Sequence, residues 1–321
     1  MNQFFTQLPP QPKQACIQYN TSTFLLGSCF VENIGKKLAQ HKFQTTINSF
    51  GIIFHPESLY NLILRIIEQR FFTETDIFYN NEQWHCFEIH SELSHSNKHE
   101  LLSVLNNQLK TSFKQLKEAS HVILTFGTAW GYINKETNQL VANCHKIPQQ
   151  QFNKQLSSVL ELQECFCNTF QLIHQINPKT QIIATISPVR HIKNGVVENN
   201  RSKANLLAAL HQSIENSNNI SYYPAYELMM DCLRDYRFYE ADLIHPNQIA
   251  INFIWEHFMD TWLHETNTKK TLKRVAEIQR GLQHRPFNAK SEAHKKFLIS
   301  LQKKIDNVKT VFPFITFNDG N

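Results

Sequence analysis

The sequence predicts an α/β fold: a mainly parallel sheet with helices on both faces. Three observations carry this. Short apolar runs bounded by glycine or turn residues recur, as in "TFLLG", "HVILTFG" and "QIIATISPV", and such continuous runs suit strands buried on both sides. Segments with apolar residues at helical spacing separate them. The alternation holds over residues 1–265, which read as one α/β domain, whereas residues 266–321 read as a basic, mainly helical extension.

Taken in order, "TFLLGSC" is a buried strand entering a turn at Gly27, and Phe30, Ile34 and Leu38 then mark a helix up to His41. "FQTTINSFGIIFHP" gives a second strand and a loop closed by Pro56. Leu59, Leu62, Ile63, Ile66 and Ile67 form the apolar stripe of the next helix. Within residues 73–97, "DIFYNNEQWHCFEIH" alternates in part around an Asn-Asn turn, which predicts an inserted hairpin. A helix through "KHELLSVLNNQLKTSFKQLKEA" leads to the strand "HVILTFG". Residues 131–150 are a second expected insertion, with two extended pieces around a polar turn. A helix is expected over Gln155 to Gln175, then the strand "QIIATISPV" and a helix through "NRSKANLLAALHQSIEN", with Asn199 to Lys203 as loop and helix start. The last strong helix, "HPNQIAINFIWEHFMDTW", has Pro246 in its first turn.

Composition narrows the function classes. Hydrophobic residues at 41% and aromatics at 12% supply a core, while eight glycines and 18% charge argue against a long disordered linker. Much of the +5 formal charge falls after Thr266, where it reads as a solvated helix face, so a nucleic-acid role has little support. Seven cysteines include no Cys-x-x-Cys pair, which speaks against a zinc ribbon or a thioredoxin-type site. The N-terminus lacks a basic segment followed by an apolar run, and no stretch approaches the roughly 20 apolar residues of a membrane span. The expectation is a reduced, cytoplasmic protein. His85, Cys86, His90, His95 and His99 cluster in sequence without the spacing of a known finger, so no metal and no cofactor are expected. Tyr222, Tyr223, Tyr226, Tyr236 and Tyr239 read as packing.

In an open parallel sheet, ligands sit beyond the carboxyl ends of the strands. Gly27-Ser28-Cys29 lies at such an end, with two adjacent side chains that can act as nucleophiles and a helix N-terminus that favours developing negative charge. Ser28 equally suits a helix cap. Late in the chain, "EADLIHPN" sets Asp242 and His245 three residues apart on a turn, close enough for the carboxylate to fix the imidazole tautomer. Alone, Asp242 also suits a turn cap.

Together these residues carry a resemblance. A serine after the first strand with a late Asp-x-x-His is similar to the SGNH (GDSL-type) hydrolases. More closely, "GSCFVENIG", "SFGIIFHP", "TFGTAW", "VANCHKIP", "SPVRHIKNGVVENNRSKANL" and "DYRFYEADLIHPN" resemble the GSCFA-domain family over residues 20–265, and "HRPFNAKSEAHKKF" resembles its C-terminal extension. The resemblance implies a flavodoxin-like three-layer α/β/α fold and a serine ester hydrolase. In it Ser28 is the nucleophile, His245 the base and then acid, and Asp242 the orienter. The oxyanion donors it implies are the backbone N–H groups of Ser28 and Gly51. The third SGNH donor, an asparagine in a Gly-x-Asn-Asp loop, is missing here, where the loop reads Gly127-Thr128-Ala129-Trp130. Asn143 or Asn48 can reach in from neighbouring loops, with Thr128 as the local substitute; losing one such donor costs about 3 kcal/mol. Asn48, Thr128, Trp130, Arg190 and His191 are the expected substrate contacts, Arg190 for a carboxylate or sugar hydroxyl. Cys29 is expected to turn away into packing, about 100° around the helix. By analogy the substrate is an O-acetylated or otherwise acylated carbohydrate, or a similar small ester. The alternatives are an O-acyltransferase and a non-catalytic carbohydrate- or acyl-binding protein. Oligomeric state is left open.

Overall fold

The first apolar run forms β1 (Ser22–Gly27) and continues into α1 (Cys29–Gln40) in a computed structural model that describes residues 6–288 and 290–317. The extreme ends of the two expected ranges, residues 1–5 and 318–321, lie outside the described residues. Around β1 stand β2 (Gln44–Ile47), β5 (His121–Phe126), β9 (Gln181–Ile186) and β10 (Ile220–Tyr222), in the order β2-β1-β5-β9-β10. Every pairing is parallel. Counted along the chain, the main-sheet order is 2-1-3-4-5. This is the flavodoxin-like arrangement, with its switch point between β1 and β5.

Alternation along the strands builds two cores. Phe24 and Leu26 of β1, Val122, Leu124 and Phe126 of β5, and Ile182, Ala184 and Ile186 of β9 face one side. Leu25, Ile123 and Ile183 face the other. The first core is covered by α2 (Pro56–Ile67), α3 (Lys98–Glu118), α4 (Val159–Ile176) and α5 (Val196–Ile214). The second is covered by α1, the short α6 (Ala225–Glu227), α7 (Gln248–Trp262), α8 (Thr266–Leu282) and α9 (Glu292–Val311). The result is a three-layer α/β/α fold. Val275, Ile278, Leu301, Ile305 and Val308 of α8 and α9 are buried in the same cluster as Phe30 and Ile254, so the C-terminal helices extend that core.

Two smaller antiparallel sheets flank this frame. β3 (Phe78–Asn80) pairs with β4 (Gln83–His85). β6 (Trp130–Asn134) lies between β7 (Leu140–Val141) and β8 (Phe152–Leu156). Arg65 of α2 pins the β3–β4 region. Its guanidinium, 3% exposed, pairs with Asp76 and Glu88 and donates to the Arg70 carbonyl, while Phe72 packs on it at 4.2 Å.

Three boundaries differ from the sequence expectation. The helix expected from Gln155 starts at Val159, because residues 152–156 pair with β6 and Ser158 with Glu161 forms a capping box. Pro246 precedes α7, whose cap is Asn247, its Oδ1 accepting from Ile249 and Ala250 N–H. Asn199 to Lys203 lie inside α5, which begins at Val196. Among the described residues no helix is long and apolar enough to cross a membrane.

Candidate active site

The turn after β1 is sterically fixed. Gly27 has φ +141°, and a Cβ there would lie 2.3 Å from the Thr125 carbonyl oxygen, so only glycine fits between β1 and β5. Ser28 follows in extended conformation as the N-cap of α1, its Oγ accepting from Phe30 N–H at 3.3 Å. Its residue exposure is 1%.

The two amides expected in an oxyanion hole both have carbonyl partners here. Ser28 N–H donates to Thr125 O at 3.1 Å, continuing the β1–β5 ladder, and Gly51 N–H donates to Asn48 O at 2.7 Å inside its own turn. Neither is a free donor in this state. Asn48 is also engaged, its Oδ1 accepting from Gly27 N–H at 2.9 Å and its Nδ2 donating to Glu32 at 3.3 Å, which makes it a brace of the Ser28 turn. Cys29, as the first residue of α1, has no acceptor within its own helix for its N–H.

Asp242 and His245 come together on the loop before α7. His245 Nδ1–H donates to Asp242 Oδ2 at 2.7 Å, while Oδ1 accepts from the N–H groups of Ile244 (2.8 Å) and His245 (3.0 Å). The hydrogen bond from His245, aided by those two amides, pulls the Asp242 carboxyl down to about 2. With Nδ1 so held, Nε2 carries the lone pair. Asn247 Nδ2 donates to the Arg237 and Tyr239 carbonyls at the base of the loop. Arg190 Nη2 donates to Leu243 O, at a residue with φ +58°, and its guanidinium lies 4.7 and 5.5 Å from the Tyr239 and Tyr236 rings. Arg190 therefore holds the Asp242–His245 loop. Among the described residues no hydrogen bond joins Ser28 Oγ to His245.

A cleft of about 480 Å³ opens beside this edge, lined among others by Phe54, Thr128, Trp130, Asn143 and His191. Asn143 Oδ1 accepts from His145 N–H at 2.8 Å. Thr128 is 5% exposed, its Oγ1 2.9 Å from Ser202 Oγ and accepting from Trp130 N–H. Trp130 donates through its indole to Glu198 O and carries Lys154 Nζ at 3.9 Å over its ring. His191 belongs to both the cleft and the loop edge. Its Nε2 is buried without a hydrogen-bond partner among the described residues and sits 2.9 Å from where a Cβ on Gly127 would be. Burial, with the nearby Lys203 cation and His245, pushes its imidazole down to about 3.

Sequence reasoning left Lys203 out of the site. It is 1% exposed on α5, and its Nζ donates to Gly127 O and Ser187 O, both at 2.7 Å. A signal was present. Asn199, Ser202, Lys203 and Leu206 share one helical stripe, so polar residues occupy core-facing positions. In contrast, His85 bonds Ser94 and the Asn80 carbonyl, and His145 bonds the Cys86 carbonyl. That histidine cluster braces β3 and β4, and no group of three or more potential metal ligands is found among the described residues.

Residues 22–258 match the model of the GSCFA family. The chain belongs to that family. Residues 275–319 match the model of the C-terminal domain of GSCFA domain proteins, which covers the C-terminal part of α8 from Val275 and all of α9. No curated protein matches the chain in sequence. Among solved structures, an acetyl xylan esterase from the rumen bacterium Butyrivibrio proteoclasticus is similar at 9% identity, over 76% of this chain and 63% of that one, with a TM-score of 0.41. A carbohydrate esterase family 3 protein from Talaromyces cellulolyticus is similar at 6% identity, over 80% of this chain and 99% of that one, with a TM-score of 0.38. This GSCFA chain thus spans under two thirds of the length of the first.

The buried imidazoles of the GSCFA chain give it an acid limit. Burial pushes His55 and His145 down to about 4 and His191 to about 3, against about 6.5 in an unfolded chain. Between these values the unfolded state binds more protons, so stability rises with pH there and falls on acidification. The melting temperature should be flat above about pH 7 and drop from pH 6.5 towards 4. His55→Gln should shallow that slope in pH-dependent thermal unfolding.

Proposed function

We propose that this protein is a serine ester hydrolase acting on an acylated carbohydrate or similar small ester. The observation that carries the reading is the Asp242–His245 pair, tautomer fixed, on a loop clamped by Arg190 and electrostatically coupled to His191 and, through Lys203, to Cys29 beside Ser28. In the proposed reaction Ser28 Oγ leaves its bond with Phe30 N–H and attacks the ester carbonyl as His245 Nε2 takes its proton. The imidazolium returns that proton to the departing alcohol, leaving an acyl-serine. Water, deprotonated by His245, then releases the acid and restores Ser28. The start of α1 faces the developing oxyanion with a helix N-terminus, where the Cys29 amide lacks a helical acceptor.

A second reading has specific support. Ser28 is not hydrogen-bonded to His245, and the Ser28 and Gly51 amides have carbonyl partners, as suits a binding protein that keeps the pocket without turnover. A fluorophosphonate probe separates the two. The hydrolase labels at Ser28, and Asp242→Ala slows labelling roughly 10³-fold by freeing the imidazole. Absence of labelling at Ser28 in the intact chain rejects the hydrolase in favour of the binder.

A further inference from the structure

We infer that Lys203 is the cationic element that supports negative charge at the Ser28 turn, in place of the asparagine missing from the Gly127-Thr128-Ala129-Trp130 loop. The inference rests on the serine-hydrolase reading and identifies a positioning residue for it. Three observations converge.

The first is the cost of the arrangement. An ammonium 1% exposed is expensive to bury without an opposite charge, and among the described residues no carboxylate pairs with Lys203. A methionine would fill the same space at α5 without that penalty. The second is location. Nζ bridges the carbonyls of Gly127 and Ser187, one residue past the ends of β5 and β9. Ser28 stands one residue past the end of β1, the strand next to β5, and neighbouring strands lie about 4.8 Å apart. The bridged Gly127 opens the loop in which the asparagine is absent.

The third is the set of groups facing Nζ. These are Cys29 of α1, close enough to Lys203 for the two to couple electrostatically, His191 of the loop after β9, and the Tyr226 ring at 5.8 Å. Cys29 is held as a thiol by burial and His191 is held neutral, so neither supplies a resident anion. Two of the three ammonium N–H groups have acceptors in the described structure. When protonated, the ammonium is thus held in a buried site without an opposite charge until an oxyanion forms, which is the condition for preorganised electrostatic stabilisation. Burial also draws its pKa down to about 7, so a nearby anion has room to raise it.

Lys203→Met keeps the stem and removes the charge. Turnover of a short-chain activated ester and fluorophosphonate labelling of Ser28 should both fall about 100-fold, with KM within about threefold. Affinity for an alkylboronic acid, which forms a tetrahedral anion on serine, should weaken in proportion. A purely structural lysine would not move boronate affinity against KM in this way. Wild-type turnover and boronate affinity in a folded Lys203→Met protein overturn the inference while leaving the hydrolase reading intact. Absence of Ser28 labelling in the unmodified protein takes both down. Should Lys203→Met fail to fold, NMR of ¹³Cε-labelled lysine in the wild type decides. Boronate should raise the Lys203 titration midpoint by about one pH unit or more, and an unmoved midpoint overturns the inference.

Discussion

Ser28→Ala should lower hydrolysis of a short-chain activated ester by about 10⁴-fold or more, while Cys29→Ala should stay within about threefold. The asymmetry follows from the turn. Ser28 occupies the extended residue between the strand-end glycine and the helix, whereas Cys29 is already helical. Burial, with Glu32 nearby, pushes the Cys29 thiol up, which leaves little thiolate at neutral pH. Ser28→Ala also removes the cap on Phe30 N–H at about 1 kcal/mol, so a melting curve should accompany the assay. A folded Ser28→Ala protein that keeps wild-type turnover, or a Cys29→Ala protein that loses it, would reverse the assignment of the nucleophile.

Arg65→Ala should destabilise the fold by about 3–5 kcal/mol, the range for breaking a buried charge network from one side. Removing the guanidinium leaves Glu88 and Asp76 facing each other, both largely shielded from water, with side-chain exposures of 30% and 22%. It also orphans the Arg70 carbonyl and the Phe72 ring. Among the described residues Arg65 makes no hydrogen bond or ion pair with Ser28, Asp242 or His245, so the folded fraction should retain its specific activity. Denaturant unfolding with a parallel assay checks both halves; a loss under about 1 kcal/mol contradicts the role given to this cluster.

The features legible in the sequence share one property: their causes are local. β1, β5 and β9 announce themselves because burial on two faces demands consecutive apolar residues. The Asp242–His245 contact spans three residues of one turn, so spacing alone suffices. β8 escaped because "FNKQL" is buried chiefly at its first residue and earns its strand geometry from β6. The amide partners of Ser28 and Gly51 depend on how β1 registers against β5 and how the Asn48 turn folds back, neither of which leaves a trace in composition. Lys203 lay hidden for a related reason. A lysine in a helix is normally a solvent residue, and only the layer packed over α5 makes it an interior one.

The parallel order of the main sheet bears on how the molecule comes into being. β1 has no hairpin partner; its neighbour β5 arrives only after β2, three helices and the β3–β4 hairpin. The Ser28 amide is tied to Thr125 on that strand, and Asp242 and His245 follow much later. Such non-local pairing slows folding, since long loops must close before contacts reward them. During synthesis, the emerging N-terminal half would hold Ser28, the proposed nucleophile, in an unformed turn, expected to be inert towards esters and fluorophosphonates. On the hydrolase reading, fragments ending before Asp242 should therefore carry no latent reactivity, and activity would arise in a single late step.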